Sequence, residues 1–336
     1  MFSLKNGYIC AQINAKKVMN IVILDGYTAN PGDLSWKAFE KLGSVTVYDY
    51  TGRDKVVERA KDADAVLANK SLLLAEEIAQ LPKLKYIGVL ATGYNNVDLK
   101  AAAENGIVVT NVPAYSTDSV AQTTIAHILN ITNSVADYNR RVHEGEWCKS
   151  ESPTYLVNPL SDLAGKTLGI VGLGNIGMKV CQIALAFGMD VCALTSKDAS
   201  ALPAGVRKVT KEELFAQSDF LSLHCPLSES TKDIVCASTL ALMKPSAVVV
   251  NTSRGPLVNQ EDMAKALSSG QIRAYCTDVL TTEPALEDNP LWKLPNAYIT
   301  SHVAWTSFEA RTRLIDVAFR SLDTFAAGRV PETKIN

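Results

Sequence analysis

Short apolar runs alternate with amphipathic segments along the chain from residue 20 onward. The segments at 34–42 and 72–81 repeat apolar residues at helical spacing. Strands are predicted where β-branched and aromatic residues form short apolar runs, at 21–24, 45–48, 63–68, 86–90 and 107–109. Because strands that alternate with helices form parallel sheets covered on both faces, this part is predicted to be an α/β domain.

The same rhythm restarts after Gly165. A capping box from Thr210 to Glu213 marks one helix start, and Asn259 opens another helix that stops near Gly270. Six strands are predicted here, at 168–171, 191–194, 220–223, 247–251, 274–277 and 297–300. Six strands complete a doubly wound sheet, so the second domain is predicted to be α/β as well.

The length of 336 residues indicates two domains, because single cores usually stop growing below this size. One long helix is predicted at 119–138, near the passage between the sheets. Another at 307–327 is expected to return to the first domain, since the second sheet is already complete. Residues 1–18 precede Met19 and the first strand, and we interpret them as a possible N-terminal extension.

Composition excludes several classes of partner. The net charge of −2 and the pI near 6.1 give no reason to expect nucleic acid or an anionic membrane surface. Seven cysteines without a C-x-x-C pair are typical of reduced thiols in a cytoplasmic protein. No apolar stretch reaches the roughly 18 residues of a membrane span, and no cluster of residues has metal-ligand spacing.

A glycine-rich loop follows the strand at 168–171 and opens a helix. It reads Gly172-Leu173-Gly174-Asn175-Ile176-Gly177. The first glycine permits a tight turn, the second lets the backbone approach a pyrophosphate, and the third lets the helix pack on the strand. The alternative is a purely structural turn, but the strand-turn-helix setting favours dinucleotide binding.

The end of the next strand bears on the choice of dinucleotide. An acidic residue there usually binds the adenosine ribose, but this strand ends at Thr195, followed by Ser196 and Lys197. Hydroxyls and a cation could bind the 2′-phosphate of NADP, which a carboxylate would repel. Alternatively, Thr195 binds the ribose of NAD and Lys197 is a solvated charge, so both cofactors remain open.

Arg254 follows the strand at 247–251, at the edge of the sheet where α/β proteins bind ligands. A planar guanidinium can hold a substrate carboxylate through two hydrogen bonds. Its turn, which continues through Gly255 and Pro256, argues against an ordinary surface salt bridge. Arg254 is therefore a candidate substrate-binding and catalytic residue.

Four histidines are available for acid–base chemistry. His127 lies in an apolar helix pattern, His143 lies in a polar segment, and His224 ends a strand beside Cys225, where it could line a cofactor cleft without chemistry. His302 follows the last strand, at the same edge as Arg254. After the preceding strand comes Glu283, which could hydrogen-bond the imidazole, hold its tautomer and favour its protonated form.

Taken together, these motifs resemble the D-isomer-specific 2-hydroxyacid dehydrogenase family over nearly the whole chain from Met19. The chain looks most like the glycerate dehydrogenase or hydroxypyruvate reductase branch. This resemblance is carried by Leu24-Asp25-Gly26-Tyr27, by 111–116 (Asn-Val-Pro-Ala-Tyr-Ser), by Ser119-Val120-Ala121-Gln122 and by His302-Val303-Ala304-Trp305. The family commonly has Asp where this chain has Thr195, which leaves the choice between NAD and NADP open.

The resemblance implies specific roles for these residues. Arg254, Glu283 and His302 would be catalytic, with Glu283 as the partner of the acid/base His302. Substrate binding would involve the loop 91–94, and the predicted set is Thr92, Gly93, Arg254 and Trp305. Asp278 would contact the nicotinamide end of the cofactor, and the predicted cofactor-binding set is Gly172, Gly174, Asn175, Ile176, Gly177, Thr195, Cys225, Thr252 and Asp278.

The resemblance also implies a fold of two doubly wound domains. A discontinuous, flavodoxin-like substrate-binding domain would comprise 19–117 plus 304–336. A Rossmann NAD(P)-binding domain would comprise 118–303 and mediate a homodimer.

The implied reaction is reversible reduction of hydroxypyruvate to D-glycerate with NADH or NADPH, with glyoxylate reduced to glycolate as well. Two alternatives stay open: a dehydrogenase for another 2-keto acid, and a non-enzymatic dinucleotide sensor that resembles transcriptional corepressors. The absence of long disordered tails or partner-docking extensions favours a metabolic enzyme.

Overall fold

A computed structural model describes residues 19–336, so the possible extension at 1–18 lies outside the described residues. Contacts divide the chain into two compact units. The first unit comprises the described residues up to Tyr115 together with Arg311–Asn336, and the second comprises Ser116–Ala310. The predicted boundaries were 117/118 and 303/304. Which unit binds substrate and which binds cofactor stays a prediction.

The first unit is built on a parallel sheet. Its strands are β1 (Met19–Ile23), β2 (Gly43–Val47), β3 (Ala65–Ala68), β4 (Tyr86–Val89) and β5 (Val108–Thr110). They lie in the order β2-β1-β3-β4-β5, which is the flavodoxin-like order. The connecting helices are short: α1 (Gly26–Ala29), α2 (Val56–Ala60), α3 (Ala75–Ile78) and α4 (Leu99–Glu104). The amphipathic segment at 34–42 forms a 3₁₀ helix, Lys37–Lys41, rather than an α-helix.

The second unit is built on a larger parallel sheet. Its strands are β6 (Thr167–Val171), β7 (Asp190–Leu194), β8 (Val206–Lys208), β9 (Phe220–Leu223), β10 (Val248–Asn251), β11 (Ala274–Thr277) and β12 (Ala297–Ile299). Their order is β12-β11-β10-β9-β6-β7-β8, in which β6 starts the Rossmann arrangement. The predicted fold class, two doubly wound parallel sheets, is confirmed.

The prediction of six strands in the second sheet is wrong, because β8 is a seventh. Its residues Val206–Lys208 include two cations and form no apolar run. As an edge strand that pairs only with β7 among the described residues, it does not need two buried faces.

The helices of the second unit are α5 (Thr117–Asn133), α6 (Val135–His143), α7 (Asn175–Ala186), α8 (Lys211–Gln217), α9 (Ala237–Leu240) and α10 (Gln260–Ser268). The capping box predicted at Thr210 and Glu213 is confirmed at the start of α8, and the Asn259 side chain caps α10. The single helix predicted at 119–138 is wrong: Ser134, with a φ of 47°, ends α5 and separates it from α6.

The last helix, α11 (Phe308–Ala326), enters the first unit from Arg311 onward. Arg311 is only 7% exposed and forms two short hydrogen bonds with the carboxylate of Asp33, at 2.7 and 2.6 Å. The ring of Phe319 packs edge-on against that of Phe39, with 5.5 Å between centroids. An ion pair with two parallel hydrogen bonds and aromatic burial therefore hold this helix to the first sheet. Within residues 19–336, no helix is both long and apolar enough to cross a membrane.

Candidate active site

Three neighbouring strands of the second sheet end at the same edge and carry the candidate catalytic residues. The register aligns Asn251 of β10 with Thr277 of β11, and Thr277 with Ile299 of β12. Arg254 and His302 each follow their own strand by three residues. Parallel strands bring residues from distant parts of the sequence together at their carboxyl ends, where α/β proteins bind ligands.

The imidazole of His302 is paired with Glu283. The Nδ1 atom of His302 lies 2.6 Å from Oε2 of Glu283, and both side chains are partly open to solvent, at 26% and 31% exposure. The other carboxylate oxygen, Oε1, accepts a hydrogen bond from the amide of Leu280 at 3.1 Å. A carboxylate held in this way places the proton of a neutral imidazole on Nδ1, so Nε2 can exchange a proton with a substrate.

The backbone around His302 is held in an uncommon conformation by Asp278. His302 has a φ of 57°, a left-handed conformation that costs a non-glycine residue about 1–2 kcal/mol. Its amide donates to the carbonyl of Asp278 at 2.8 Å. The carboxylate of Asp278, only 1% exposed, accepts hydrogen bonds from the amides of Val303 at 2.9 Å and Ala304 at 2.8 Å. These bonds offset the strain and fix the direction of the imidazole.

The turn of Arg254 packs directly against the segment that carries Glu283. The side-chain amide of Asn251 donates to the Arg254 carbonyl at 2.9 Å and closes the turn. At Gly255, an added Cβ would lie 2.1 Å from the carbonyl carbon and oxygen of Leu280. Only glycine permits this close approach. It places the turn of Arg254 against the backbone of Leu280, whose amide donates to the carboxylate of Glu283.

The glycine-rich loop has the geometry expected for a dinucleotide. Gly172 has a φ of 88°, and at Gly177 an added Cβ would lie 2.2 Å from the Gly172 carbonyl oxygen, so the helix packs closely on the strand. At Gly174, which caps α7, an added Cβ would meet no atom within 4 Å. The first amides of α7, at Asn175 and Ile176, have no intrahelical acceptor, as at the start of any α-helix. These residues fit a bound pyrophosphate.

The predicted adenosine end lies beside this loop. The amide of Gly172 donates to the carbonyl of Leu194 at 2.9 Å, which places the last residue of β7 and the following Thr195 next to the first turn of the loop. The hydroxyl of Thr195 accepts a hydrogen bond from the amide of Lys197 at 3.2 Å. The structure therefore brings Thr195 and the glycine loop together.

Two further predicted cofactor-binding residues line the ends of β9 and β10. Cys225 packs under the loop, since an added Cβ on Gly172 would lie 2.7 Å from its amide nitrogen. Burial raises the pKa of the Cys225 thiol to about 11, so this thiol stays protonated and unreactive. Thr252 is buried and shares a 2.9 Å hydrogen bond with the hydroxyl of Thr124.

The other three histidines lie in surroundings that indicate no role in proton transfer. His127 is buried on α5, and burial lowers its pKa, with the charge of Asp278 partly opposing the shift. Burial lowers the pKa of His224 to about 3, and its Nε2 lies 2.8 Å from the hydroxyl of Ser222. His143 is an exposed residue at the end of α6. His302 is thus the histidine of the described residues that combines partial exposure with a carboxylate partner.

The other predicted substrate-binding residues have different surroundings. Thr92 in the first unit donates its hydroxyl to the carbonyl of Val112 at 2.9 Å, and its carbonyl accepts from the side chain of Asn111 at 2.8 Å. These two bonds hold the loop that contains Thr92 and Gly93. They use the hydroxyl and carbonyl oxygens of Thr92 and not the backbone amides of the loop. Trp305 follows the His302 turn in the second unit and is only 8% exposed.

Sequence reasoning missed the positioning role of the Asp278 side chain. Its hydrogen bond from the hydroxyl of Thr300, at 2.6 Å, completes a set of donors that all follow β12. The available signal was an aspartate directly after one apolar strand and a threonine directly after the next. Within the part of the chain that the structure describes, no group of three or more His, Cys, Asp or Glu side chains could hold a metal ion.

Comparisons with known proteins agree with this geometry. Residues 125–304 match the family described as D-isomer specific 2-hydroxyacid dehydrogenase, NAD binding domain. A hydroxypyruvate reductase of Blautia hydrogenotrophica is 44% identical over 314 residues, which cover 92% of this chain and 98% of that protein. A glycerate dehydrogenase of Methylorubrum extorquens is 36% identical, over 82% of this chain and 87% of that protein.

Solved structures show the same arrangement of elements. An NADPH-dependent glyoxylate/hydroxypyruvate reductase from Sinorhizobium meliloti, in complex with NADP and malonate, superposes with a TM-score of 0.80. It is 26% identical in sequence, and the match covers 94% of this chain and 96% of that chain.

Proposed function

Because the chain belongs to the D-isomer specific 2-hydroxyacid dehydrogenase family, we propose that it reduces hydroxypyruvate to D-glycerate, and glyoxylate to glycolate, reversibly. The family match and the relatives confirm the resemblance expected from the sequence. The chain is an oxidoreductase that acts on the CH–OH group of 2-hydroxy acids with NAD or NADP. The observation that carries the proposal is the His302–Glu283 pair on strand ends that neighbour the Arg254 turn.

We assign substrate anchoring to Arg254. Its guanidinium can form two parallel hydrogen bonds with the carboxylate that every 2-keto acid carries, and this fixes the orientation of C2. The turn is held by Asn251 and by the close packing of Gly255, so the guanidinium starts from a fixed backbone. The backbone amides of Thr92 and Gly93 are proposed as further ligands of the carboxylate, an assignment that rests on the family resemblance.

We assign proton transfer to His302. In reduction, the protonated imidazole gives the Nε2 proton to the oxygen on C2, while Glu283 stabilises the charged ring from the Nδ1 side. In oxidation, the neutral imidazole accepts the same proton. The bound dinucleotide supplies or receives the hydride at C2.

Cofactor binding is proposed for the glycine loop and the surrounding strand ends. The open space at Gly174 and the amides that begin α7 suit the pyrophosphate. We assign the remaining contacts to Thr195, Cys225, Thr252 and Asp278. The carboxylate of Asp278 is occupied by backbone donors, so its cofactor contact would be made by the turn it stabilises.

We further propose a cytoplasmic homodimer formed through the cofactor-binding unit. Large apolar side chains concentrate on the surface of one segment of this unit, namely Val135, Trp147, Leu156 and Leu160, which are 49–74% exposed. Exposed apolar groups in such number favour a protein interface. Free buried thiols such as Cys181 and Cys276 are typical of a reducing compartment. Sedimentation equilibrium tests the dimer, and a monomer at micromolar concentration would contradict it.

The decisive experiment is steady-state oxidation of NADH and NADPH with hydroxypyruvate, glyoxylate, pyruvate and phenylpyruvate. We expect hydroxypyruvate to give the highest kcat/KM, followed by glyoxylate. A higher kcat/KM for pyruvate or phenylpyruvate would reassign the substrate. Cofactor binding without turnover of any acid would favour a dinucleotide sensor.

A second experiment separates anchoring from general electrostatics. Arg254→Lys should raise KM and also lower kcat, because an ammonium group cannot reproduce the two parallel hydrogen bonds. Arg273→Lys is the matched control, since Arg273 precedes β11 at the opposite end of the sheet and donates to the carbonyl of Ile131. Equal kinetics for both variants would refute the assignment of Arg254.

A further inference from the structure

One buried histidine, His127, has no part in the proposed mechanism. It is only 8% exposed, on helix α5, whose Ile125 and Ile128 pack in the apolar core of the second unit. Burial of a polar ring is unfavourable unless the ring is hydrogen-bonded, and an aliphatic side chain would fill this position without that requirement. The hydrogen bond of His127 therefore indicates what the ring contributes.

The imidazole of His127 faces the hydroxyl of Thr300, the first residue after β12. Its Nε2 atom lies 3.5 Å from Oγ of Thr300, which is a long hydrogen bond. The Thr300 hydroxyl donates its single proton to Oδ1 of Asp278 at 2.6 Å, so its oxygen can only accept from His127. Burial lowers the pKa of His127, against the opposing charge of Asp278, so the ring is neutral near pH 7. The neutral ring must therefore carry its proton on Nε2.

The same carboxylate leads from Thr300 to the turn of His302. Oδ1 of Asp278 accepts both the Thr300 hydroxyl and the amide of Val303, the latter at 2.9 Å. Hydrogen bonds in a row polarise one another, so a donor on the Thr300 oxygen strengthens the bond from Thr300 to Asp278. The series His127–Thr300–Asp278 thus connects α5 with the turn that presents the proposed proton donor.

Helix α5 is itself fixed on both sides of His127. Three residues before it, Thr124 shares a 2.9 Å hydrogen bond with the hydroxyl of Thr252, which follows β10. Four residues after it, the carbonyl of Ile131 accepts a hydrogen bond from the guanidinium of Arg273 at 3.2 Å. Residues three or four apart lie on the same helix face, so this face is attached to the sheet and His127 donates from a fixed position.

We propose that His127 is a positioning residue for the reaction. It donates from Nε2 to Thr300, directs the Thr300 hydroxyl toward Asp278 and thereby holds the turn of His302. The effect on turnover rests on the proposed function, because it requires His302 to transfer the proton. The series of hydrogen bonds from α5 to the turn involves no substrate and can be tested separately.

The tautomer of His127 is measured without any substrate. In protein labelled with ¹⁵N-histidine, couplings between the ring nitrogens and the carbon-bound ring protons distinguish Nε2–H from Nδ1–H. The chain has four histidines, so substituting each in turn assigns the signals. We expect His127 to carry its proton on Nε2, and the neutral form of His302 to carry it on Nδ1, which faces Glu283. A neutral His127 with its proton on Nδ1 would overturn the proposed role.

Two substitutions then test whether the ring holds the turn. His127→Leu fills the space without a donor, whereas His127→Gln keeps an N–H group at a similar distance from the backbone. Hydrogen exchange in the segment 300–306, followed by mass spectrometry, should be about three- to tenfold faster in His127→Leu and close to wild type in His127→Gln. Equal exchange in wild type and His127→Leu would contradict the positioning role.

Thr132→Val is the matched control for a lost polar group on the same helix. Thr132 is fully buried on α5, and its hydroxyl bonds to the carbonyls of Ile128 and Leu129 in its own helix. This variant should leave exchange in the segment 300–306 unchanged. Faster exchange there in both Thr132→Val and His127→Leu would show a general loosening of α5 and would overturn the specific role of His127.

Steady-state kinetics show whether the turn matters to the reaction. With hydroxypyruvate, His127→Leu should lower kcat by about three- to tenfold, because a displaced imidazole transfers the proton less well. KM and the Kd for the dinucleotide should change by less than about twofold. His127→Gln should restore most of kcat, and Thr132→Val should leave it unchanged. Equal losses of kcat in His127→Leu and His127→Gln would assign the effect to packing and overturn the role of the donor.

Failure of this role and failure of the proposed function give different results. If no acid is turned over, the proposed function fails, while the tautomer and the exchange rates still decide whether His127 holds the turn. If wild type and His127→Leu turn over hydroxypyruvate equally fast, the reductase assignment survives and the positioning role is overturned.

Discussion

Each unit has a buried aspartate that follows a strand. In both units, its carboxylate accepts hydrogen bonds from backbone amides that follow a neighbouring strand. In the first unit, Asp25 comes after β1, and its carboxylate accepts the amides of Asn69 and Ser71, each at 2.7 Å, and of Lys70. These residues follow β3, the neighbour of β1. In the second unit, the carboxylate of Asp278 after β11 accepts amides that follow the neighbouring β12.

The difference lies in what each carboxylate holds. The turn held by Asp25 has two buried polar atoms with no hydrogen-bond partner among the described residues, Asn69 Oδ1 and Ser71 Oγ. The turn held by Asp278 contains His302 in its left-handed conformation, with Glu283 on Nδ1. In each unit, a carboxylate thus bridges two strand ends and orders one edge of the sheet. In the mechanism that we propose, catalysis depends on the side chain that the ordered turn presents.

The strongest test of this difference removes the imidazole itself. We expect His302→Asn to lower kcat by about 10²- to 10⁴-fold, because proton transfer to the C2 oxygen loses its donor. The Kd for the dinucleotide should stay within a small factor, since the glycine loop is unchanged. His143→Asn, at an exposed site on α6, is the matched control. Near-normal turnover in His302→Asn would end the acid–base assignment.

A smaller effect is expected when the support of His302 is weakened. Asp278→Asn replaces one acceptor oxygen by an amide that faces backbone donors, so it should lower the free energy of unfolding by about 1–3 kcal/mol. The His302 turn would shift, and kcat should fall by about 10- to 100-fold with a smaller change in KM. Urea unfolding and steady-state kinetics measure both quantities. An unchanged kcat at reduced stability would make Asp278 purely structural.

The matching change in the first unit should separate stability from catalysis. Asp25→Asn should lower the free energy of unfolding by the same 1–3 kcal/mol or so, because three amides lose an ionised acceptor. Its kcat should change by less than about threefold, since its turn carries no proton donor of the reaction. A loss of kcat as large as that in Asp278→Asn would show that both turns serve catalysis, and the comparison would collapse.

The smallest expected effect concerns mild acid. All four histidines lie in the second unit, and burial lowers the pKa of two of them, His127 and His224, the latter to about 3. Below the ordinary histidine pKa of about 6.5, these two histidines bind protons in the unfolded chain. In the folded chain they stay neutral, because burial disfavours the charged imidazole. Their stabilisation is therefore complete above about pH 6.5 and is lost as the pH falls toward 3.

The first unit should not share this sensitivity. Hydrogen bonds from Arg311 lower the pKa of Asp33, so that its contribution is lost only below about pH 4. Hydrogen exchange followed by mass spectrometry at pH 7 and pH 5 should show larger loss of protection in the second unit. His224→Gln should reduce that loss. Equal loss in both units would show that groups other than these histidines dominate.

Much of the molecule was predictable because the signals are local. The strands appear as apolar runs, and the capping residues Thr210 and Asn259 mark helix starts by their own side-chain chemistry. The glycine loop was recognisable because its three glycines have the spacing of the dinucleotide-binding motif and directly follow a predicted strand. Arg254, Glu283 and His302 could be proposed because each follows a predicted strand, and parallel strands share one carboxyl edge.

The errors occurred where local patterns are weak. β8 was missed because an edge strand of three residues with two cations has no apolar signature. The break at Ser134 was missed because a serine in the left-handed conformation leaves no mark comparable to glycine or proline. Both errors matter, since Lys208 of β8 donates to the carbonyl of Lys197, and the break at Ser134 directly precedes the segment with exposed apolar side chains.

The sequence by itself determined the alternation of strands and helices, the glycine loop and the candidate for the proton donor, because these depend on short-range periodicity and chemistry. Only the tertiary structure decided the partners: Glu283 on His302 at 2.6 Å, Asp278 on the turn after β12, and Lys208 on the carbonyl of Lys197. Those contacts join residues from separate strands. The order and register of strands in a sheet, which no local pattern encodes, bring them together.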